Sequence, residues 1–483
     1  MSGNWLVNQP NSRPDIMQLK SAIEELESLR FVIEALPLQS APSRHYLMAL
    51  HWISEEKAIK RELAQVVSAM HFIEANEPLT ANIRINLAQI RDIRGTLRNI
   101  KTGSTPDDIE LFELKHFWLL ADGIKRFLSD AGVELICLPD MGPVMKILDP
   151  EGNRIPTFYI CDNYDDELAA LRKAYNNAHQ RGEKALEEQL KEAAIQREEV
   201  VRQHLGEQLH VQYNALRHTM DQLVYLDILL SKAILFKQWN FTCPELYGEG
   251  LTNYHGLFNP LVKKILEAKG EHFQPVDITF GFMPTLITGA NMAGKTVLLK
   301  TVALSQLLVQ FGFFVPASEA VIRIVDQVML SVGDQQSELQ GLSSFGAEMV
   351  RITGIIRTIR SGKKVLALID EPARTTNPTE GLALVKAIVE LFEKMKVAGL
   401  ITTHYSGTDF TCRKLRVKGF TETDIPEDIS IGNLIRYLDY NLVEDTGESL
   451  PHEALRIAGI LGVDNELIER AQYYVHEEDR VKK

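Results

Sequence analysis

Cysteine is scarce: four residues in a chain of 483. Cys137, Cys161, Cys243 and Cys412 lie far apart and form no CxxC pair. They fit neither a disulfide framework nor a zinc site, and they read as reduced thiols. No uninterrupted apolar run reaches about 18 residues, so no membrane span is expected. The opening residues, MSGNWLVNQPNSRPD, lack a basic start followed by an apolar run. They do not read as a secretion signal, and a cytoplasmic protein is expected. Basic charge is also in deficit, with 52 Lys and Arg against 65 Asp and Glu, a net charge of −13. That balance argues against a protein that coats nucleic acid, although a local basic patch still binds phosphates.

What is present fits a globular chain of two to four domains, 45% hydrophobic and 24% charged. Residues 1–164 read as a helical core with a short irregular connector. Leu19, Ile23, Leu26, Leu29 and Ile33 recur at helical spacing, as do Leu47, Leu50 and Ile53. Pro37, Pro42 and Pro78 separate the helices. The connector, Val133 to Arg154, is rich in turn residues and predicts irregular or hairpin-like chain. Phe72-Ile-Glu74 lies in a helical stretch, and Phe72 reads as a core residue.

Residues 165–240 hold no proline and are rich in helix formers. Leu168, Leu171, Ala178, Ala185, Leu186 and Leu190 form an apolar stripe between charges. The pattern predicts long lever helices, either a coiled-coil arm bent near Gly182 or Gly206 or a pair packed on its own domain. After about Gly248 apolar runs at Pro284–Thr288, Lys364–Ile369 and Gly399–Thr403 alternate with helical segments. That alternation predicts an α/β domain over 241–445, with a mostly parallel sheet under helices. A helical segment, 446–483, follows.

Gly289-Ala-Asn-Met-Ala-Gly-Lys-Thr296 fits G-x-x-x-x-G-K-[ST] between an apolar run and a helix-like stretch. That context marks a phosphate-binding loop (P-loop). Its backbone, Gly289, Ala290, Asn291, Met292, Ala293 and Gly294, is expected to bend round phosphates beside the positive end of the next helix. Lys295 is expected to reach the β- and γ-phosphates of ATP, and Thr296 to offer its hydroxyl to Mg²⁺. Val365-Leu-Ala-Leu-Ile-Asp370-Glu371 is an apolar strand ending in two acids. Asp370 is the expected metal-side acid, and Glu371 the group that orients or deprotonates the attacking water. Leu400-Ile-Thr-Thr-His404 ends a further strand in a histidine suited to sensing the γ-phosphate or placing water. Gly341-Leu-Ser-Ser-Phe345 precedes a helix and suits either capping or anion binding.

Together these elements resemble the ABC-type ATPase domain of the MutS family over about Asn259 to Ser406. The carrying residues are Asn291 and Met292 in the loop, Asp370 to Gly381, and Thr403-His404-Tyr405. The resemblance implies that Phe273 lies near the adenine and that Ser343 contacts the ATP of the opposite subunit. It also implies a homodimer in which each subunit completes the other's site, with ATP driving a clamp-like rearrangement of helical arms. Gly447 to Tyr474 is similar to the family's helical dimerisation segment. Ala290 and Ala293 depart from the mismatch-repair pattern, as do Pro372 and Ala373; the phosphate-binding positions are kept. The chain before the helical core leaves too little room for a mismatch-reading domain, so a short member without one is expected.

Two loads for this ATPase stay open. The family points to DNA in some structure other than a mismatch. The acidic balance and the mixed charges of Glu183, Lys184, Glu187, Glu188, Lys191 and Glu192 fit a client protein instead. An example of that kind is reactivation of a cobalamin-dependent aminomutase. A scaffold that binds nucleotide without hydrolysis is disfavoured by Glu371 beside Asp370.

Overall fold

The computed structural model describes residues 17–247, 250–289, 294–332, 344–405, 410–420, 438–445, 455, 458–459 and 462–481. The chain divides into two compact units, one formed by residues 36–50 and 64–235, the other by 17–35, 51–63 and the chain from 236 onward.

The helices open with α1 (Leu19–Glu25), α2 (Glu27–Glu34), α3 (Ser43–Met48), α4 (Glu56–Ala75), α5 (Glu77–Ala88) and α6 (Arg94–Thr102). Next come α7 (Asp108–Asp130), α8 (Gly142–Leu148), α9 (Asp166–Arg181), α10 (Lys184–Val211) and α11 (Tyr213–Trp239). Pro78 and Pro143 stand in the first turns of α5 and α8, where their missing N–H costs nothing. Within the stretch from Val133 to Arg154, irregular as the turn residues predict, α8 forms one short helix over Gly142–Leu148. Its proline starts a helix instead of breaking one.

In the first unit α7 starts at a capping box. Asp107 accepts the Glu110 N–H while Glu110 accepts the Asp107 N–H. Its residues Leu111, Leu114, Trp118, Ala121, Ile124 and Leu128 recur every three or four positions and are buried. Phe72 on α4 is also buried, in agreement with a core role. α9 and α10 pack as a hairpin tied by Arg172–Glu198 and Arg197–Asp165 ion pairs, each at 2.7 Å. The turn falls at Gly182, which ends α9 in the left-handed conformation (φ 73°). Gly206 lies inside α10, which continues past it to Val211. α11 is buried along most of its length, including Leu216, Leu223, Leu226 and Leu230.

One ion pair in this unit is buried on both sides. Lys115 Nζ lies 2.9 Å from Asp149 Oδ1, and the Arg154 N–H donates to Asp149 Oδ2 at 2.8 Å. Burial pushes the Asp149 carboxyl up, but these partners outweigh it and hold it below its ordinary value. A depressed carboxylate stabilises the fold above its unfolded pKa and stops doing so as the pH falls through the folded one. Lys115→Met strands the buried carboxylate. Urea unfolding near neutral pH is expected to show a loss of about 3–5 kcal/mol, and a loss below about 1 kcal/mol removes the pair from the stability argument.

The second unit takes in α1, α2 and the start of α4 and, among the described residues, ten strands. After α11 the elements run, in chain order, β1 (Glu245–Leu246), β2 (Thr252–Leu257), α12 (Pro260–Ala268), β3 (Val276–Phe280) and β4 (Pro284–Thr288). They continue with α13 (Lys295–Gln310), β5 (Glu319–Ile322), β6 (Gln327–Ser331), α14 (Ser344–Arg360) and β7 (Val365–Ile369). Last come α15 (Pro378–Met395), β8 (Ala398–Thr402), β9 (Arg413–Phe420), β10 (Leu438–Glu444) and α16 (Asn465–Val481).

The larger sheet has the order β10-β9-β4-β8-β7-β6. β9–β4, β4–β8, β8–β7 and β7–β6 pair in parallel, and β10 closes the edge antiparallel to β9. Every residue of β4, β7 and β8 is buried, as expected for central strands covered on both faces. Leu286, Ile369, Ile401, Val389 and Phe392 belong to one apolar cluster between this sheet and its helices. A second sheet, β1-β5-β2-β3, pairs β2 antiparallel to both β3 and β5 and β1 parallel to β5. Nothing in the strand pattern predicts it, because β1 has two residues and β2 carries Asn253, His255 and Gly256.

Parallel pairing has one consequence for function. β4, β7 and β8 all end on the same edge of the sheet, so the residues that follow them are brought together.

Candidate active site

Each group at this edge is delivered by a strand end. β4 leads into Gly289, and Gly294 then caps α13, which starts with Lys295 and Thr296. β7 ends one residue before Asp370, whose N–H is held by the Ser331 carbonyl at 2.9 Å. β8 ends at Thr402, and the Thr403 N–H bonds the Ile287 carbonyl of β4 at 3.0 Å.

Asp370 lies between two hydroxyls. Thr296 Oγ1 donates to Asp370 Oδ2 and Thr402 Oγ1 to Asp370 Oδ1, each at 2.6 Å. Thr402 is buried and also accepts the Glu371 N–H at 2.9 Å, so one hydroxyl positions both acids. Lys295 Nζ donates to the Gly289 carbonyl and lies 3.1 Å from Glu371 Oε1. Arg374 approaches the other Glu371 oxygen at 3.5 Å.

The chain around Glu371 is conformationally unusual. Glu371 (φ 42°) and Ala373 (φ 61°) both adopt the left-handed region without being glycine. Ala373 is buried, and its N–H points at the Glu348 carboxylate on α14, 3.2 Å from Oε2. Burial raises the Glu348 pKa against the Ala373 N–H, Arg351 and Arg374, with Asp370 adding to the rise. Non-glycine residues held in this region cluster at sites where the surroundings enforce geometry.

His404 is exposed, with its ring centroid 4.2 Å from that of Tyr405. Contact of the imidazole with the protein lowers its pKa, Glu371 opposes, and Lys295 and Arg374 reinforce the lowering. The neutral ring is therefore favoured at neutral pH.

Next to the loop opens a cavity of about 240 Å³. Phe273, Gln274, Leu298, Thr301, Val417 and Tyr440 line it, with Gly294 and Lys295 at one side. Phe273 thus faces the same space as Lys295. Gly294 is required as glycine: φ is 73°, and a Cβ would lie 3.0 Å from Tyr440 Cδ1.

Gly289, Gly294, Lys295, Thr296, Asp370, Glu371, His404 and Phe273 fall in one region of the second unit. Ala290, Asn291, Met292, Ala293 and Ser343 lie outside the described residues. Thr402, Gln274 and Tyr440 belong to the region but are given no role by the sequence; Glu348, which follows the Gly341–Phe345 element, joins them. Thr402 stands within the Thr-Thr-His run and differs from an ordinary strand residue only by its hydroxyl. No group of three or more His, Cys, Asp or Glu suited to a metal occurs among the described residues. The Thr296–Asp370 pair offers hard oxygen donors, which suit Mg²⁺, an ion that draws most of its ligands from water and phosphate.

The profile of MutS domain V matches residues 285–477, a span that contains every one of these strand ends. The chain is also similar to proteins named Endonuclease MutS2. It is 30% identical to the one from Carboxydothermus hydrogenoformans over 298 residues, covering 60% of this chain and 36% of that protein. Identity to the one from Caldicellulosiruptor bescii is 36% over 259 residues, covering 52% of this chain and 30% of that protein. For Clostridium botulinum the figures are 32% over 257 residues, 53% of this chain and 31% of the relative. The chain thus spans about a third of the length of the curated relatives it matches. Among the described residues, no helix is long and apolar enough to cross a membrane. Residues 285–477 match the fifth MutS domain, and over that part the chain is similar to the MutS family.

Proposed function

We propose that the chain binds and hydrolyses ATP at this edge of the sheet. One observation carries the reading: Asp370 holds the Thr296 and Thr402 hydroxyls at 2.6 Å while its neighbour Glu371 meets Lys295 at 3.1 Å. The groups needed for phosphate, metal and water thereby stand within hydrogen-bond reach of one another. The cavity lined by Phe273 and Tyr440 suits the base, being apolar and continuous with Lys295.

In this reading the loop from Gly289 through Ala290, Asn291, Met292, Ala293 and Gly294 wraps the phosphates. Lys295 takes the β- and γ-phosphates. Thr296 and Asp370 hold Mg²⁺, which neutralises charge on the phosphate oxygens when bound. Glu371 orients the attacking water, and Thr402 keeps its main chain in place. His404, neutral at pH 7, contacts the γ-phosphate or the water. Ser343 contacts the nucleotide of a second copy, so the working unit is a homodimer joined in part by α16. The α9–α10 hairpin is the arm that ATP rearranges, and DNA is its load. The relatives' name, Endonuclease MutS2, supports DNA as partner.

The purified chain is expected to release phosphate from ATP only with Mg²⁺, and a chelator should stop turnover. Absence of ATP binding would remove the reading. Branched or duplex DNA should raise the rate at about 50 mM salt and lose its effect as salt increases. An unchanged rate, together with no DNA retention at low salt, leaves the ATPase standing and removes DNA as its load.

A further inference from the structure

β10 loses its regular pairing where it passes the cavity. Its register against β9 shifts between Asp439 and Leu442. A bulge of this kind bends a strand and re-aims a side chain, and it leaves main-chain groups outside the ladder. The re-aimed side chain here is Tyr440, which joins the cavity wall against Gly294.

The displaced N–H groups are caught by side chains. Tyr440 N–H donates to Gln274 Oε1 at 3.1 Å, and Asn441 N–H to Asp439 Oδ1 at 3.0 Å. Gln274 Nε2 donates to the same Asp439 oxygen at 2.8 Å, while Lys418 Nζ stands 3.1 Å from Asp439 Oδ2. Both polar ends of the Gln274 amide are therefore engaged with β10. Burial pushes the Asp439 carboxyl up, and hydrogen bonds from Asn441, Gln274 and Lys418 overcome this and keep it ionised.

We infer that Gln274 is a positioning residue for nucleotide affinity: it pins the β10 bulge and so aims the Tyr440 ring at the base in the cavity. This rests on the nucleotide reading of the site given above. The base, and not the phosphates, is what Gln274 serves. An aromatic platform contributes to affinity through its orientation as well as its area.

Titration calorimetry with ATP and with inorganic tripolyphosphate tests this. Gln274→Leu should weaken ATP binding about tenfold. It should leave tripolyphosphate binding unchanged, and kcat at saturating ATP within about twofold. Retained tripolyphosphate binding also shows that the variant is folded. Tyr440→Leu should cause the same base-dependent loss, and the double variant should lose no more than either alone. Unchanged ATP affinity in Gln274→Leu overturns the inference, as does an equal loss for tripolyphosphate or full additivity with Tyr440→Leu. Wild-type protein that binds neither ligand overturns the nucleotide reading itself, which separates the two failures.

Discussion

Glu371→Gln should bind ATP at least as tightly as the wild type, because Lys295 no longer pairs with a competing carboxylate, and hydrolyse it about 10²–10⁴ times more slowly. The change keeps the shape of the side chain and removes its capacity to take a proton. Asp370, with the Thr296 and Thr402 hydroxyls on it, is untouched, so metal and phosphate contacts survive. Loss of the Lys295–Glu371 ion pair is also small for the fold, because Lys295 keeps the Gly289 carbonyl as a partner. The outcome is a protein loaded with ATP and stalled. Filter binding with radiolabelled ATP and a single-turnover phosphate assay separate binding from chemistry. Wild-type turnover in this variant would mean that another group activates the water.

Thr402→Val is expected to combine a loss of activity with a loss of stability. Valine matches threonine in shape, so packing in the buried end of β8 is preserved. What disappears is a hydroxyl that donates to Asp370 and accepts the Glu371 N–H. The half-buried N–H left without a partner costs about 1 kcal/mol, measurable by urea unfolding. The acids lose a shared anchor, and a displacement of about 1 Å at a reacting group costs on the order of 10²-fold in rate. Thr402→Ser restores the hydroxyl and should restore most of the rate. A Val variant with full kcat would show that the hydroxyl serves stability alone.

The central strands β4, β7 and β8 of the larger sheet were easy to read from residue order; β6, β9, β10 and the smaller details were not. Buried parallel strands are continuous apolar runs, and Leu286-Ile287, Val365 to Ile369 and Leu400-Ile401 therefore announce themselves. Asp370 and Glu371 stand out because two acids end such a run downstream of a phosphate loop. Thr402 does not, since its role depends on the spacing of β7 and β8, which no local pattern encodes. Tyr440 and Gln274 are 166 positions apart and meet only through the bulge. α8 shows the opposite failure: Gly142 and Pro143 look like turn residues, yet proline is favoured in a first helical turn. The left-handed backbone at Glu371 and Ala373 was equally hidden, since neither residue type favours it.

Lys295 joins two demands in a single side chain. In the proposed reading it takes the phosphates of ATP, and it is paired with the carboxylate expected to activate water. A phosphate that claims Lys295 competes with Glu371, and by thermodynamic reciprocity whatever loosens the carboxylate tightens the hold on phosphate. In that reading, arrival of ATP would arm the group that consumes it. Such wiring would work as an interlock: affinity would be given up to keep the proton acceptor occupied until there is something to hydrolyse.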